Sequence, residues 1–183
     1  MLCHSSKYKE FLSCAEKCLK TFYGDDVQKS NDFCRIVSEA HCIRLKGLLE
    51  GNSGRIVVGG KVDTSDRYVE PTIIADVKLD SKLMKEEIFG PLLPVMQYET
   101  TDEAIAIMNA ENLGKPLVLY IFSKDRQMID KVTTAVTSGG VLVNDTLFHC
   151  ANPYMPFGGV GRSGMGGYHG EKLVIVLCFI IFP

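Results

Sequence analysis

At 183 residues the chain is long enough to bury one or two sizeable cores. Hydrophobic residues at 46%, charged residues at 23% and a net charge of −2 are ordinary for a globular protein, and with no basic patch a nucleic-acid partner is not expected. Seven cysteines, an odd number with no CxxC among them, point to reduced thiols in an intracellular, cytoplasmic protein, and four well-separated histidines offer no zinc-ligand spacing.

Met1 to Lys9 has no apolar core, and Lys7 and Lys9 precede any hydrophobic run, so it does not read as a signal peptide. Phe11, Leu12, Ala15, Cys18, Leu19 and Phe22 recur at helical spacing, which predicts a helix over Ser6–Tyr23 with Gly24 as its C-cap. Cys14 and Cys18 share a face of that helix; two soft ligands without a third read as core packing. Ser38 caps a second helix that ends at Gly51. Arg55–Val58 is a short β-branched strand, and Tyr68–Ala75 is extended, with Pro71 favouring an edge or irregular strand.

Leu93–Tyr98 reads as a strand. Thr100 and Glu103 predict a capping box for a helix through Asn109. The apolar run Leu117–Phe122 suits a strand buried on both faces. Ser123 then opens a helix carrying Met128, Ile129, Val132 and Val136, closed by Gly139-Gly140, and Val141–Val143 is the last strand. Alternating strands and helices with short connections predict an α/β fold whose parallel sheet is built from Arg55–Val58, Leu93–Tyr98, Leu117–Phe122 and Val141–Val143. From Asn144 the chain is loop-like and rich in glycine. Leu173–Phe182 is ten apolar residues, half of the roughly 20 a membrane helix needs, so no membrane partner is expected and the run reads as a buried or misplaced tail.

Three motifs bear on chemistry. Gly159-Val160-Gly161-Arg162-Ser163-Gly164 matches GxGxxG, yet Pro153 and Pro156 exclude the strand that a dinucleotide loop needs before it. The structural reading is stronger: glycines permit close backbone approach in a packed loop. Glu86-Glu87 is a poor shared-proton pair, because sequence neighbours on a turn point apart. One carboxylate can instead accept hydrogen bonds from sugar hydroxyls, with Phe89 against a flat ring. Cys150 and His149 have no third group at a spacing that supports a Cys-His pair.

Lys85-Glu86-Glu87-Ile88-Phe89-Gly90-Pro91, followed about seventy residues later by Pro156-Phe157-Gly158-Gly159-Val160-Gly161-Arg162-Ser163-Gly164-Met165-Gly166, resembles the C-terminal part of an aldehyde dehydrogenase. Ser-Gly-Met-Gly and Tyr-His-Gly place the resemblance with the class 3, fatty-aldehyde branch, from about Leu2 to His169. It implies an incomplete parallel-sheet catalytic domain over residues 1–143. Residues 144–170 are then a loop and the start of a dimerisation segment, and 171–183 a divergent apolar tail.

By the same resemblance, Glu87 contacts the nicotinamide ribose and Phe89 the nicotinamide side of NAD(P)+. Thr146, Leu147, Cys150, Phe157 and His169 line the aldehyde entrance. The family oxidises aldehydes to acids through a cysteine nucleophile, and a Rossmann-type domain binds most of the cofactor. The resemblance places all of these before Met1, and Leu2-Cys3 just after the nucleophile. The expectation is a chain with no catalytic residue of its own that holds the cofactor weakly, does not oxidise aldehydes alone, and at most acts as a homodimer or interaction partner. Association with internal membranes follows only by analogy with the family.

Overall fold

The computed structural model describes residues 1–110 and 113–169. The apolar run Leu173–Phe182 therefore lies outside the described residues. The chain divides into two units, Met1–Thr100 and Thr101–Pro183.

The first unit contains, in order, β1 (Leu2–His4), α1 (Ser5–Tyr23), α2 (Glu39–Glu50), β2 (Arg55–Val58), β3 (Val62–Asp63), β4 (Tyr68–Val69), β5 (Thr72–Ala75) and β6 (Leu92–Tyr98). Helix α1 is closed by Gly24, which adopts φ 79° and donates its N–H to the Lys20 carbonyl. Helix α2 begins as its sequence predicts, with the Ser38 hydroxyl accepting from the His41 N–H.

The sheet order is β1-β6-β5-β2. Strands β1 and β5 run parallel to β6, whereas β2 runs antiparallel to β5. The expectation of a wholly parallel sheet therefore fails at Arg55–Val58. The connection from β2 to β5 is taken up by the β3–β4 hairpin and holds no crossover helix, so the two strands pair antiparallel. Of the two readings of Tyr68–Ala75, the irregular strand holds and the edge does not, because the run is broken into β4 and β5. Pro71 stands between β4 and β5, outside both ladders, and β5 is an interior strand.

Helices cover both faces of this sheet, which explains why every residue of β5 is buried. Ile74, Leu92 and Met96 point toward α2, where Cys42, Leu45, Leu48 and Leu49 complete one core. Ile73, Ala75 and Val95 point the other way, onto Tyr8 and Leu12 of α1. The Tyr8 hydroxyl donates to Asp76 Oδ1 and accepts from the Asp76 N–H, both at 2.9 Å, which pins the left-handed residue after β5 (φ 59°) to α1. Cys14 and Cys18, read as core residues, are exposed. With Phe11, Ala15, Pro71 and Leu93 they line an apolar groove of about 430 Å³ along α1.

The second unit contains α3 (Thr101–Met108), β7 (Val118–Ile121), α4 (Arg126–Ala135), β8 (Gly140–Val143) and the single turn α5 (Phe148–Ala151). Strands β7 and β8 pair in parallel as a sheet of their own among the described residues. Leu119, Ile121 and Val141 meet Ile129 and Val132 of α4 and Ile105 of α3 in a third core. Leu117 and Phe122 are exposed, so the strand is not buried on both faces along its length. Helix α4 starts later than its sequence suggests. The Asp125 carboxylate accepts from the N–H groups of Gln127 and Met128, while Ser123 only closes the turn ahead of it. No described helix is long and apolar enough to cross a membrane.

Leu45 is fully buried in the α2 core, and Leu45→Ala is expected to lower unfolding free energy by about 2–5 kcal/mol in urea titrations. Asp63 contributes to acid sensitivity. Its carboxylate accepts from the Ser65 hydroxyl (2.6 Å), from Gln28 (3.1 Å) and from the N–H of Asp66 (3.2 Å), and these donors lower its pKa to about 2. A depressed carboxyl contributes stability above its unfolded value of roughly 3.9 and loses it as pH falls through about 2. Carbon-detected NMR is expected to find the Asp63 midpoint near 2. Asp63→Ala should flatten the fall in stability between those two pH values.

Candidate functional site

The Lys85–Pro91 turn is held from below at four places. Leu83, 2% exposed, is the central residue of the short 3₁₀ turn Lys82–Met84 just ahead of it and sits inside the α2 core. Ile88 packs on the same core. A Cβ on Gly90 would lie 2.6 Å from Leu45 Cδ1, so only glycine lets the turn sit this close to α2. Arg44 of α2 supplies the fourth hold: Nη1 donates to Glu86 Oε1 at 2.8 Å and Nη2 to the Ile88 carbonyl at 2.5 Å.

Inward and outward side chains therefore alternate along the turn. Glu86 and Ile88 are engaged, while Glu87 and Phe89 face solvent. Phe89 is 76% exposed and adopts φ 43°, a backbone region that a bulky L-residue occupies only when its surroundings impose it. Glu87 has neither a hydrogen bond nor an ion pair with the described residues. The two glutamates thus divide between an anchor and a free acceptor, as expected of sequence neighbours on a turn. A free carboxylate two residues from an exposed aromatic ring suits a ligand with sugar hydroxyls and a flat ring. Sequence reasoning missed Arg44, a helical arginine 42 positions before its carboxylate partner, for which no local pattern exists.

In the second unit, the segment after β8 folds back over the end of β7. Asn144 (φ 58°) exchanges side-chain hydrogen bonds with the backbone of Ser123, each 2.9 Å, which ties the two strand ends together. Leu147 follows at φ 65°, and its N–H reaches the Tyr120 hydroxyl at 3.4 Å. Thr146, Leu147 and Cys150 are exposed at the start of this loop, with Cys150 Sγ donating to the Leu147 carbonyl at 2.9 Å. Phe157 and His169 come together further on, with ring centroids 6.2 Å apart. The backbone of Phe157 pairs with that of Tyr168, the residue before His169, through two 2.9 Å hydrogen bonds.

Tyr120 and His149 extend this aromatic row, His149 lying 5.7 Å from Tyr120 and 5.5 Å from Phe157. Neither was legible as a partner of Phe157, because the residues come from a strand and two separate turns. Among the described residues, His169 Nδ1 is buried without a hydrogen-bond partner.

The glycine motif is closed on itself. Cβ atoms at Gly158 and Gly159 would strike the backbone carbonyls of Gly166 and Ser163, and Ser163 Oγ accepts from the Val160 N–H at 2.9 Å. Gly161–Ser163 is a 3₁₀ turn and not the start of an α-helix, so it lacks the helix N-terminus that a pyrophosphate requires. Among the described residues no group of three or more His, Cys, Asp or Glu side chains is placed to hold a metal ion.

Burial pushes the Cys3 and Cys42 thiols up, away from the reactive thiolate. None of the six described cysteines hydrogen-bonds to a histidine ring or a carboxylate; their Sγ partners are backbone carbonyls.

These two motifs, on an α/β frame with parallel strand pairs, match known proteins over nearly the whole chain. The sequence model of the aldehyde dehydrogenase family covers residues 1–177, and the chain belongs to that family. It is 46% identical over 171 residues to the 4,4'-diaponeurosporen-aldehyde dehydrogenase of Staphylococcus aureus, covering 93% of this chain and 37% of the relative. It is 43% identical over 172 residues to the dimeric NADP-preferring aldehyde dehydrogenase of Rattus norvegicus, covering 94% and 37%. The solved substrate-bound state of Staphylococcus aureus AldH superposes with a TM-score of 0.88 at 46% identity, covering 93% of this chain and 37% of that one. The chain thus spans a little over a third of the length of these relatives.

Thiol labelling followed by mass spectrometry checks the cysteine assignments. Cys14, Cys18, Cys34 and Cys150 are expected to react quickly in the folded chain, and Cys3 and Cys42 only on unfolding.

Proposed function

We propose that this chain supplies two contact surfaces of an NAD(P)+-dependent aldehyde-oxidising enzyme and does not by itself turn over aldehyde. The observation that carries the reading is the turn at Glu87: a carboxylate without a partner among the described residues, two positions before an exposed aromatic ring, on a backbone fastened from below. The cofactor, when bound, accepts a hydride from the aldehyde-derived carbon.

The chain's own part is recognition. Glu87 accepts hydrogen bonds from the nicotinamide ribose, and Phe89 sets a ring face against the nicotinamide side. Charge-assisted hydrogen bonds of this kind are worth roughly 1.5–3 kcal/mol each. On the second unit, Thr146, Leu147, Cys150, Phe157 and His169 supply a mostly apolar wall for the aldehyde entrance. The family match and the NADP preference in the name of the rat relative support both assignments. The glycine loop at Gly158–Gly164 leaves no room for the phosphates, so the chain engages only the nicotinamide half and holds the whole cofactor weakly.

The chemical step needs a nucleophile, and no described cysteine is hydrogen-bonded to a histidine ring or a carboxylate that could serve as its base. A non-catalytic role as an interaction or homodimerisation partner is the second reading. The exposed Phe148, Tyr154, Met155 and Met165 of the second unit favour it, because an apolar surface of this kind marks a contact region. The free thiols of the described cysteines support a reducing, intracellular setting.

Purified chain incubated with NAD(P)+ and medium- or long-chain aldehydes is expected to reduce no more cofactor than a buffer control. Turnover above that control, abolished by Glu87→Gln, would overturn the assignment. Nicotinamide mononucleotide is expected to shift the amide resonances of Glu87 and Phe89, and Glu87→Gln to remove that response without lowering the thermal midpoint.

A further inference from the structure

We infer that Arg44 is a positioning residue for the nicotinamide-facing turn, setting the direction of Glu87 and Phe89 through their neighbours; the ligand part of this inference rests on the reading of that turn given above. The geometry is specific. One guanidinium nitrogen binds the Glu86 carboxylate, the side chain just before Glu87, and the other binds the carbonyl of Ile88, just after it. The fork therefore brackets Glu87 from both sides without touching it. Bonds to the residues on either side of one position restrict its backbone, and so the direction in which its side chain leaves the turn.

The pair also has features that an adventitious surface ion pair lacks. The Arg44 side chain is 29% exposed, and its second bond goes to a backbone carbonyl that has no other partner among the backbone hydrogen bonds of the turn. Arg44 precedes Leu45, whose side chain sets how close Gly90 comes. Consecutive residues of α2 thus fix the turn by charge and by shape. Phe89 is held at a positive φ by these restraints, and a free chain would leave that region.

Lysine is not an equivalent. It is a point charge without the planar fork, so it can satisfy Glu86 or the Ile88 carbonyl but does not span both in one geometry. Glutamine at position 86 keeps an acceptor for Arg44 and loses the charge.

The test uses the full chain, labelled with ¹⁵N, in the wild-type form and as Arg44→Ala, Arg44→Lys, Glu86→Gln and Glu87→Gln. Backbone order parameters come first, without ligand. Wild type and Glu87→Gln are expected to give rigid values of about 0.85 at residues 87 and 89, and Arg44→Ala values below about 0.6. Arg44→Lys and Glu86→Gln should fall between these. The rest of the first unit should stay at wild-type order with a nearly unchanged thermal midpoint; a purely structural arginine would instead lower the midpoint and disturb α2 throughout.

Titration with nicotinamide mononucleotide comes second. Arg44→Ala is expected to weaken the response by roughly tenfold, because only a fraction of turns remains competent. Unchanged order at residues 87 and 89 in both Arg44→Ala and Glu86→Gln would overturn the positioning role, whatever the ligand does. Loosening of the turn with no nicotinamide response in wild type would uphold the positioning role and sink the nicotinamide reading alone. Should Arg44→Ala fail to fold, Arg44→Lys and Glu86→Gln decide: wild-type order in both overturns the inference, and intermediate order supports it.

Discussion

The contact between Leu45 and Gly90 is the constraint on which the first unit's functional surface depends. Leu45 is completely buried between α2 and the β5–β6 ladder. The turn that enters β6 passes directly over its side chain, and it can do so only where no Cβ intervenes. Once Gly90 is seated there, Pro91 follows with its carbonyl accepting from the Thr72 N–H at 2.8 Å, which starts the parallel register of β5 against β6. A packing contact in the core thereby fixes the point at which a loop becomes a strand, and with it which side chains of the loop are left outside.

The two glutamates show how such a frame separates residues that look alike. By composition and charge alone, Glu86 and Glu87 are an equivalent acidic pair. In the fold, Glu86 sits opposite Arg44 and is neutralised at 2.8 Å, while Glu87 keeps its charge available. A pair with both partners partly exposed contributes little to global stability. Its consequence is local, because it decides the direction of a few side chains and not whether the domain folds.

The second unit solves a different problem with different means. Its loop from Asn144 to His169 has little regular structure, and its backbone is held by side-chain-to-backbone bonds at Asn144 and Ser163 and by glycines packed against carbonyls. Tight glycine packing replaces a ladder of backbone hydrogen bonds, which frees Leu147, Phe148 and Tyr154 to stay outside. The motif that looks like a phosphate loop is thus a closure device, and what distinguishes the two is whether a strand and an α-helix flank it.

The sequence alone determined the α/β class, both long helices with their caps at Ser38 and Gly24, the strand runs, and the identity of the two motifs. These follow from local periodicity and from residues whose stereochemistry acts at their own position. It did not determine that β2 runs antiparallel, that β5 is interior despite Pro71, that Cys14 and Cys18 are exposed, or that α4 is capped by Asp125. Strand direction depends on whether the connection holds a crossover helix, and exposure depends on what covers a face; neither is encoded at the residue concerned. Glu87 and Phe89 were legible as candidates because their motif is contiguous. Arg44, Tyr120 and His149 were not, since each meets its partner across a long sequence separation that only the packed helices and strands bring to hydrogen-bond or ring-contact distance.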